Sequence, residues 1–361
     1  MPTTDWVPPA DPDLYQLYLD CAAQWLRDEP AVIALDSETT GLRYEDKAFG
    51  FSIAWRSGDE VVGYWLESCF AETRRFLVRA LDHVDSVVLH NLKFDAHRLH
   101  HYGIEIPDHV EWHDTEALAH LDDHDRPKGL KDLARSILGE ETHEQEEVFN
   151  ARRWAKKEYG LSSVRDVGYD KLPRGTVVPY AIQDSVFTYR LWERLLPRVR
   201  EFDDLYQLYR REMELTRVVF EMEQAGMAVR LDYVSEQIRE YRNRVLEHEV
   251  EIERIVGKPV RTGKIPARER EQYFNPSSNK EVSEYFAGAG YSLESYDAEA
   301  LRAIEHPLAT KLLEYRADGK LLSTYLIALK DETGADSIYH PSLRLHGTRT
   351  GRTSSGGERG D

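Results

Sequence analysis

Cysteine is scarce in this chain of 361 residues, where Cys21 and Cys69 are the two that occur. Two cysteines that lie far apart in the sequence exclude a cysteine zinc cluster and a disulfide framework. They favour a reducing compartment, so we expect the protein in the cytoplasm.

Long apolar runs are absent as well. No window approaches ~18 consecutive apolar residues, so we expect no membrane-spanning helix and no membrane partner. The first 13 residues are polar and rich in proline, without the basic start and apolar stretch that are typical of a secretory signal.

Basic residues are outnumbered, because 47 Lys and Arg stand against 65 Asp and Glu and leave a formal net charge of −18. Such a charge is untypical of a protein that binds nucleic acid nonspecifically. It does not exclude an enzyme acting on nucleic acid, since carboxylates can surround metal ions while basic groups form a local stripe.

Apolar residues are plentiful, at 41% of the chain, which excludes wholesale disorder. The first half predicts strands over 31–38, 49–55, 61–66 and 86–91, the second and third forming a hairpin, with helices over 70–83 and 93–102. Strands that alternate with helices indicate an α/β fold with a mixed sheet.

The remainder reads as mainly helical. A helical pattern covers 116–160, and a loop over 168–179 leads into a helix over 180–196. Four later helices are predicted. The first ends at Gly226, and the second is capped by Asp232 and ends near Gly257. The third begins with Ser277 or Ser278 as its cap, and the fourth runs from Pro307 to about residue 330. We therefore expect an N-terminal extension (1–30), an α/β domain (31–204) and a helical region (205–361).

Two carboxylates close the first predicted strand. Asp36 and Glu38 are two residues apart, so their side chains point to the same side of the strand. Like charges placed together need a partner, and hard oxygen ligands favour Mg²⁺ or Mn²⁺. Taken alone, such a pair is more often a solvent-exposed strand end.

Two further motifs add carboxylates. Asp95 lies in the first turn of a helix in the run HNLKFD (90–95), where helix capping by Asn91 is the alternative interpretation. Tyr180 and Asp184 share one face of a later helix, and the alternative there is a surface pair.

The three motifs together resemble the DEDD superfamily of 3′–5′ exonucleases, in the subclass with tyrosine in the third motif. HDTEALAHL (113–121) and GLKDLA (129–134) also match that family, and the resemblance covers about residues 30–196. It implies a ribonuclease H-like fold and hydrolysis of phosphodiesters with two divalent cations, Mg²⁺ or Mn²⁺.

The resemblance also implies residue roles. Asp36 would bridge the two cations, with Glu38 and Asp184 completing the first site and Asp95 serving the second. Tyr180 would orient the attacking water, because a phenol with a pKa near ~10 is a poor base at neutral pH. The terminal nucleotide would be held by Thr39 and Leu42, and the site would be lined by Asn91 and Phe94.

The helical half is similar to the thumb of family A DNA polymerases, the DNA polymerase I group. The matching segments are 215–232, 274–286, 312–326 and HGTRTGRTSS (346–355). Residues 338–357 contain Arg344, Arg349 and Arg352 and no acidic residue, which favours contact with phosphates. DNA, as a single-stranded 3′ end or a primer-template, is the expected partner.

The sequence departs from that family after the second serine of the last motif, where GGERGD stands in place of Pro-Asn-Leu-Gln and the palm. Thr353 also replaces the usual apolar residue. We therefore expect no polymerase activity from this chain alone. A split polymerase with a separate palm and fingers subunit, a truncated one, and a free-standing exonuclease all stay open.

The leading hypothesis is a DNA 3′–5′ exonuclease, the proofreading part of a family A polymerase in a bacterial or phage-infected cell. One alternative is an RNA exonuclease like ribonuclease D, which shares the tyrosine motif. The other is a noncatalytic DNA-binding or assembly subunit, which the loss of a carboxylate would favour.

Overall fold

The computed structural model describes residues 12–141, 144–164, 167–261, 272–291, 295–346 and 352–355. The chain forms two compact units, and the first comprises Met1–Gly226 with Pro341–Asp361. The second unit comprises Met227–His340.

A mixed sheet of five strands organises the first unit and confirms the predicted fold class. In spatial order β3-β2-β1-β4-β5, the strands are β1 (Val32–Thr39), β2 (Ala48–Ser57), β3 (Glu60–Glu67), β4 (Ser86–Leu89) and β5 (Glu111–Asp114). Strands β1–β3 pair antiparallel, while β4 runs parallel to β1 and β5 parallel to β4.

The sheet follows from the apolar pattern of its strands. Ile33 and Ala34 of β1 and Ile53 and Ala54 of β2 are fully buried, so both faces of the central strands are covered. The predicted hairpin is present, and Gly58 has a φ of +57° in its turn, a conformation that other residues rarely adopt.

Helices flank this sheet. They are α1 (Pro12–Asp28), α2 (Ala71–His83), α3 (Leu92–His101), α4 (Thr115–Asp122), α5 (Leu130–Leu133), α6 (Glu144–Glu158), α7 (Arg174–Arg200) and α8 (Asp203–Ala225). A π-helical turn, Ala134–Leu138, continues α5. Helix α7 packs across β1, β2 and β3, and α1 packs on β3.

Four features differ from the sequence-based expectation. The helical pattern predicted over 116–160 is interrupted, because α4 ends at Asp122, α5 begins at Leu130 and α6 begins at Glu144. The N-terminal extension contains α1, whose Trp25 ring packs edge-on against Trp55 at 5.5 Å. Strand β5 was not predicted, because its short run EWHD is half charged. Helix α7 begins at Arg174, so the predicted loop over 168–179 is too long, and Pro179 lies inside the helix, in its second turn.

Helix α8 explains why the packing boundary falls at Gly226. Tyr209, Met213 and Phe220 of this helix are buried in the first unit. The boundary between the α/β domain and the helical region, at residues 204 and 205, stays a prediction.

The second unit is helical. It contains α9 (Leu231–Val256), α10 (Asn279–Gly288), α11 (Ala298–Arg302), α12 (Pro307–Lys320), a π-helical segment (Leu321–Ile327) and α13 (Ala328–Glu332). Its core includes Ile252, Val282, Phe286, Leu308 and Leu312. Strands β6 (Met227–Ala228) and β7 (Ile338–Tyr339) pair antiparallel where the chain enters and leaves the unit.

Helix ends in this unit test the predicted caps. Ser278 caps α10 by accepting from the Glu281 amide, and Gly257 ends α9 with a φ of +73°, both as predicted. The predicted Asp232 cap is wrong, because Arg230, two residues earlier, takes the cap position of α9 and Asp232 lies in the first turn. No helix within the described ranges is long and apolar enough to cross a membrane.

Candidate active site

The first two carboxylates lie at the carboxyl end of the central strand. Asp36 is paired with Ser52 and Glu38 with Gly50 of β2, so both side chains point to the same side of β1. Glu38 is buried, while Asp36 keeps part of its surface accessible although protein atoms crowd it.

Asp95 reaches these residues from the first turn of α3. The residue between the first two carboxylates holds it, because Ser37 donates its amide (2.9 Å) and its hydroxyl (2.5 Å) to Asp95 Oδ1. This role of Ser37 was missed from the sequence, although the serine stands inside the first motif. The first and second motifs are thus joined by direct hydrogen bonds.

The start of α3 is fixed by a residue that the sequence analysis did not single out. Asp114 accepts from the amides of Asn91 (3.1 Å), Leu92 (2.9 Å) and Glu116 (2.8 Å). Asn91 precedes the helix with a φ of +58° and makes no side-chain cap. The capping role that was the alternative for Asn91 therefore belongs to Asp114, in the run HDTEALAHL.

Helix α7 supplies the third motif. Tyr180 and Asp184 lie one turn apart, and Asp184 is buried. The Tyr180 ring stacks on Tyr169, with ring centroids 5.9 Å apart and planes 16° apart. The tyrosine therefore sits in a fixed orientation beside the carboxylates.

The charges of Asp95 and Asp184 act on both carboxylates of the first motif. Desolvation, followed by the charges of Asp95 and Asp184, raises the pKa of Asp36 well above its usual range. The same groups raise the pKa of Glu38, again with desolvation as the largest cause. Burial raises the pKa of Asp95 to about 7, against the hydrogen bonds from Ser37 that lower it.

The Tyr180 hydroxyl stays protonated in this surrounding. Desolvation first, and then the charge of Asp184, raises the pKa of Tyr180 well above its ordinary value. A phenol of this kind is a hydrogen-bond donor and not a general base at neutral pH.

Lys131 is the principal residue that the sequence analysis missed. It is 8% exposed, and its ammonium contacts Asp184 Oδ1. The nitrogen lies 4.2 Å from the centroid of the Tyr180 ring and 5.3 Å from that of Phe187. The run GLKDLA pointed to this segment but not to a place among the carboxylates.

The donor set suits a hard divalent cation, because four carboxylates that repel one another supply only oxygen ligands. Yet in the part of the chain that the structure describes, no group of three or more His, Cys, Asp or Glu side chains is gathered closely enough to hold a metal ion. Ser37 and Lys131 hold Asp95 and Asp184 instead.

The expected substrate-binding residues comprise a group expected at the terminal nucleotide and a group of arginines near the end of the chain. Thr39 donates its hydroxyl to the Gly41 carbonyl (2.7 Å), Leu42 is 47% exposed, Asn91 is exposed and Phe94 is partly buried. Arg344 lies on β8 (Leu343–Arg344), which pairs with β9 (Ser354–Ser355), and Arg352 is exposed just before β9. Arg349 lies outside the described residues.

A buried glutamate attaches the 341–346 segment to helix α3. Glu223, only 3% exposed, contacts the Lys93 ammonium (2.5 Å), the His97 Nε2 (2.8 Å) and the Leu343 amide (2.6 Å). Desolvation raises the pKa of Glu223, but the bonds from His97 and Lys93 outweigh it and hold that pKa below its usual value. Lys93 also donates to the Leu343 carbonyl at 2.6 Å.

Comparison with known proteins defines the class of the first unit. The family model of the 3′–5′ exonuclease domain of family A DNA polymerases matches residues 19–200, which include all four carboxylates and Tyr180. The chain therefore belongs to this exonuclease family.

Its relatives are DNA polymerases. The chain is 30% identical over 383 residues to the DNA polymerase of Escherichia phage T5, covering 98% of this chain and 42% of the relative. It is 26% identical to DNA polymerase DpoZ of Salmonella phage PMBT28, over 90% of this chain and 52% of the relative. DNA polymerase I of Treponema pallidum is 30% identical, and the match covers 76% of this chain and 26% of the relative.

The fold agrees with a solved polymerase structure, the POL domain of Pol1 from M. smegmatis in complex with DNA primer-template and dNTP. The two share a TM-score of 0.67 and 20% sequence identity, covering 97% of this chain and 54% of that one. The chain spans about half or less of the length of the relatives named here.

Proposed function

We propose that this chain is a metal-dependent 3′–5′ exonuclease that hydrolyses DNA from its 3′ end to nucleoside monophosphates. The observation that carries the proposal is that the charges of Asp95 and Asp184 raise the pKa of both Asp36 and Glu38, inside a matched exonuclease domain. Such a domain in a family A DNA polymerase would serve proofreading.

The four carboxylates would hold two divalent cations, Mg²⁺ or Mn²⁺, with Asp36 shared, Glu38 and Asp184 on the first and Asp95 on the second. When bound, the cations would supply an activated water and neutralise charge on the phosphate and the leaving 3′ oxygen. Tyr180 would orient that water through its protonated hydroxyl, which the Tyr169 stack holds in place.

DNA is the partner that we propose. The terminal nucleotide would lie against Thr39, Leu42, Asn91 and Phe94, and Arg344, Arg349 and Arg352 would contact the backbone upstream. A palm and fingers region, on a separate subunit, is the second proposed partner. The relatives come from bacteria and phages, and we propose the same setting, the cytoplasm of a bacterial or phage-infected cell.

The test is digestion of a DNA primer with a frayed 3′ end on its template, labelled in the 3′-terminal nucleotide, next to an RNA primer of the same sequence on the same template. We expect release of nucleoside monophosphates from DNA with Mg²⁺ and no product in excess chelator. Full digestion in chelator would contradict the metal mechanism. Faster digestion of RNA would favour the ribonuclease, and no digestion of either strand would favour a noncatalytic subunit.

A further inference from the structure

A cationic side chain lies among the carboxylates of the first unit. Lys131 belongs to the short helix α5, and its ammonium lies over the rings of Tyr180 and Phe187 and contacts Asp184. A π-helical turn follows α5 directly, and such turns occur often at functional sites.

The charge of Lys131 reaches beyond its direct partner. Its positive charge attracts Asp36 and Glu38 as well as its contact partner Asp184. The side chain is nearly buried, which makes the interaction stronger than that of a surface pair. Without a cation of some kind, these carboxylates would repel one another in a poorly solvated site.

A divalent cation and the Lys131 ammonium would therefore require the same carboxylate. Asp184 is an expected metal ligand, and its Oδ1 is in contact with Lys131. A lysine ammonium is a compact charge on a flexible stem, so it can leave a carboxylate without unfolding the helix that carries it.

We propose that Lys131 is a built-in counter-ion of the carboxylate site, which occupies Asp184 in the cation-free protein and is exchanged for a divalent cation when one binds. Lys131 thus stabilises the cation-free fold and weakens the affinity for the cation. The inference rests on the proposed function, because it takes the four carboxylates to be a cation site.

The experiment compares the wild type, Lys131→Met and Lys131→Arg in the full chain. Binding of Mn²⁺ is measured by calorimetry, and melting temperature is measured in chelator and in saturating Mn²⁺. Because Lys131→Met removes the competing charge, we expect it to bind Mn²⁺ about tenfold more tightly, to melt lower in chelator, and to gain more from Mn²⁺ than the wild type. Lys131→Arg keeps the charge and should stay close to the wild type.

A matched control is Lys128→Met, which removes a positive charge three residues away. Lys128 donates to the carbonyls of His124 and Arg126, so its loss should leave Mn²⁺ affinity unchanged. In an Asp184→Asn background, Lys131→Met should lose most of its effect on affinity, because the shared carboxylate is gone. A merely structural lysine would show no such coupling.

The outcomes separate the two proposals. Equal or weaker Mn²⁺ binding by Lys131→Met, with the wild type binding normally, overturns the counter-ion inference and leaves the exonuclease proposal standing. Equal loss of melting temperature with and without Mn²⁺ overturns it too. A wild type that binds no Mn²⁺ overturns both.

Discussion

At the scale of single residues, the carboxylate cluster opposes the stability of the fold. Because the pKa of Asp36 is raised in the folded chain, its ionised form is less favourable there than in the unfolded chain. We therefore expect Asp36→Asn to raise the melting temperature in chelator and to lower exonuclease turnover by several orders of magnitude. Scanning fluorimetry and single-turnover kinetics measure the two effects.

The control for this substitution is Asp59→Asn, in the exposed turn of the β2–β3 hairpin. It removes the same charge far from the cluster, and both melting temperature and turnover should stay at wild-type values. A lower melting temperature for Asp36→Asn in chelator would show that the carboxylates stabilise the fold.

The two members of the third motif should differ in importance. Tyr180→Phe keeps the ring that packs on Tyr169 and loses only the hydroxyl, so we expect a loss in turnover within the ~10²–10⁴-fold range of positioning and acid–base groups. Asp184→Ala removes an expected metal ligand and should cost more. Equal losses in a turnover assay would mean that Tyr180 does more than orient water.

At the scale of elements, Glu223 connects helices α3 and α8 to the 341–346 segment. Glu223→Gln weakens the charged contacts with Lys93 and His97, and we expect faster exchange of the Leu343 amide. Hydrogen exchange with mass spectrometry measures the exchange rate of this amide. The affinity for primer-template should also fall, and the rate of hydrolysis of a short single strand should fall less. Glu221→Gln, on the exposed face of α8, is the control and should leave exchange at Leu343 unchanged.

Elements whose signals are local could be predicted from the sequence. The apolar runs of β1 to β3, the glycine turn and the Ser278 cap depend on neighbouring residues, and the structure confirms them. The positions of Lys131 and Asp114 depend on contacts between residues distant in sequence. A lysine in a helical run is usually exposed, so nothing in GLKDLA indicated an ammonium among carboxylates.

Helix α8 shows the same limit for contacts that its own sequence does not indicate. The hydroxyl of its buried Tyr209 accepts from the Asp114 amide at 3.2 Å, and Phe220 packs against Trp112. Those partners lie about one hundred residues earlier, so the local sequence pattern of α8 could not predict the contacts.

At the scale of the whole molecule, Met227, the first residue of the second unit, pairs with Tyr339, which immediately precedes its last residue. A short Gly-Ser linker in place of residues 227–340 should therefore leave the first unit folded and able to hydrolyse short single strands. We expect weaker binding to primer-template, with the log–log salt slope flattened by about one unit for each phosphate that the shortened chain no longer binds.

Binding across a salt series, with and without residues 227–340, makes the measurement. Circular dichroism and hydrolysis of a short single strand are the controls for folding. An unchanged affinity and slope would contradict a DNA-gripping role for the helical unit and would assign the phosphate contacts to the arginines of the first unit.

The division of the first unit into two stretches of sequence also has a consequence for protein synthesis. Residues 341–361 belong to the first unit but are translated after the whole second unit. On the ribosome, Glu223 can meet Lys93 and His97 early, while its third partner, the Leu343 amide, emerges about 120 residues later. The nascent exonuclease unit is therefore completed only after its helical neighbour has been made.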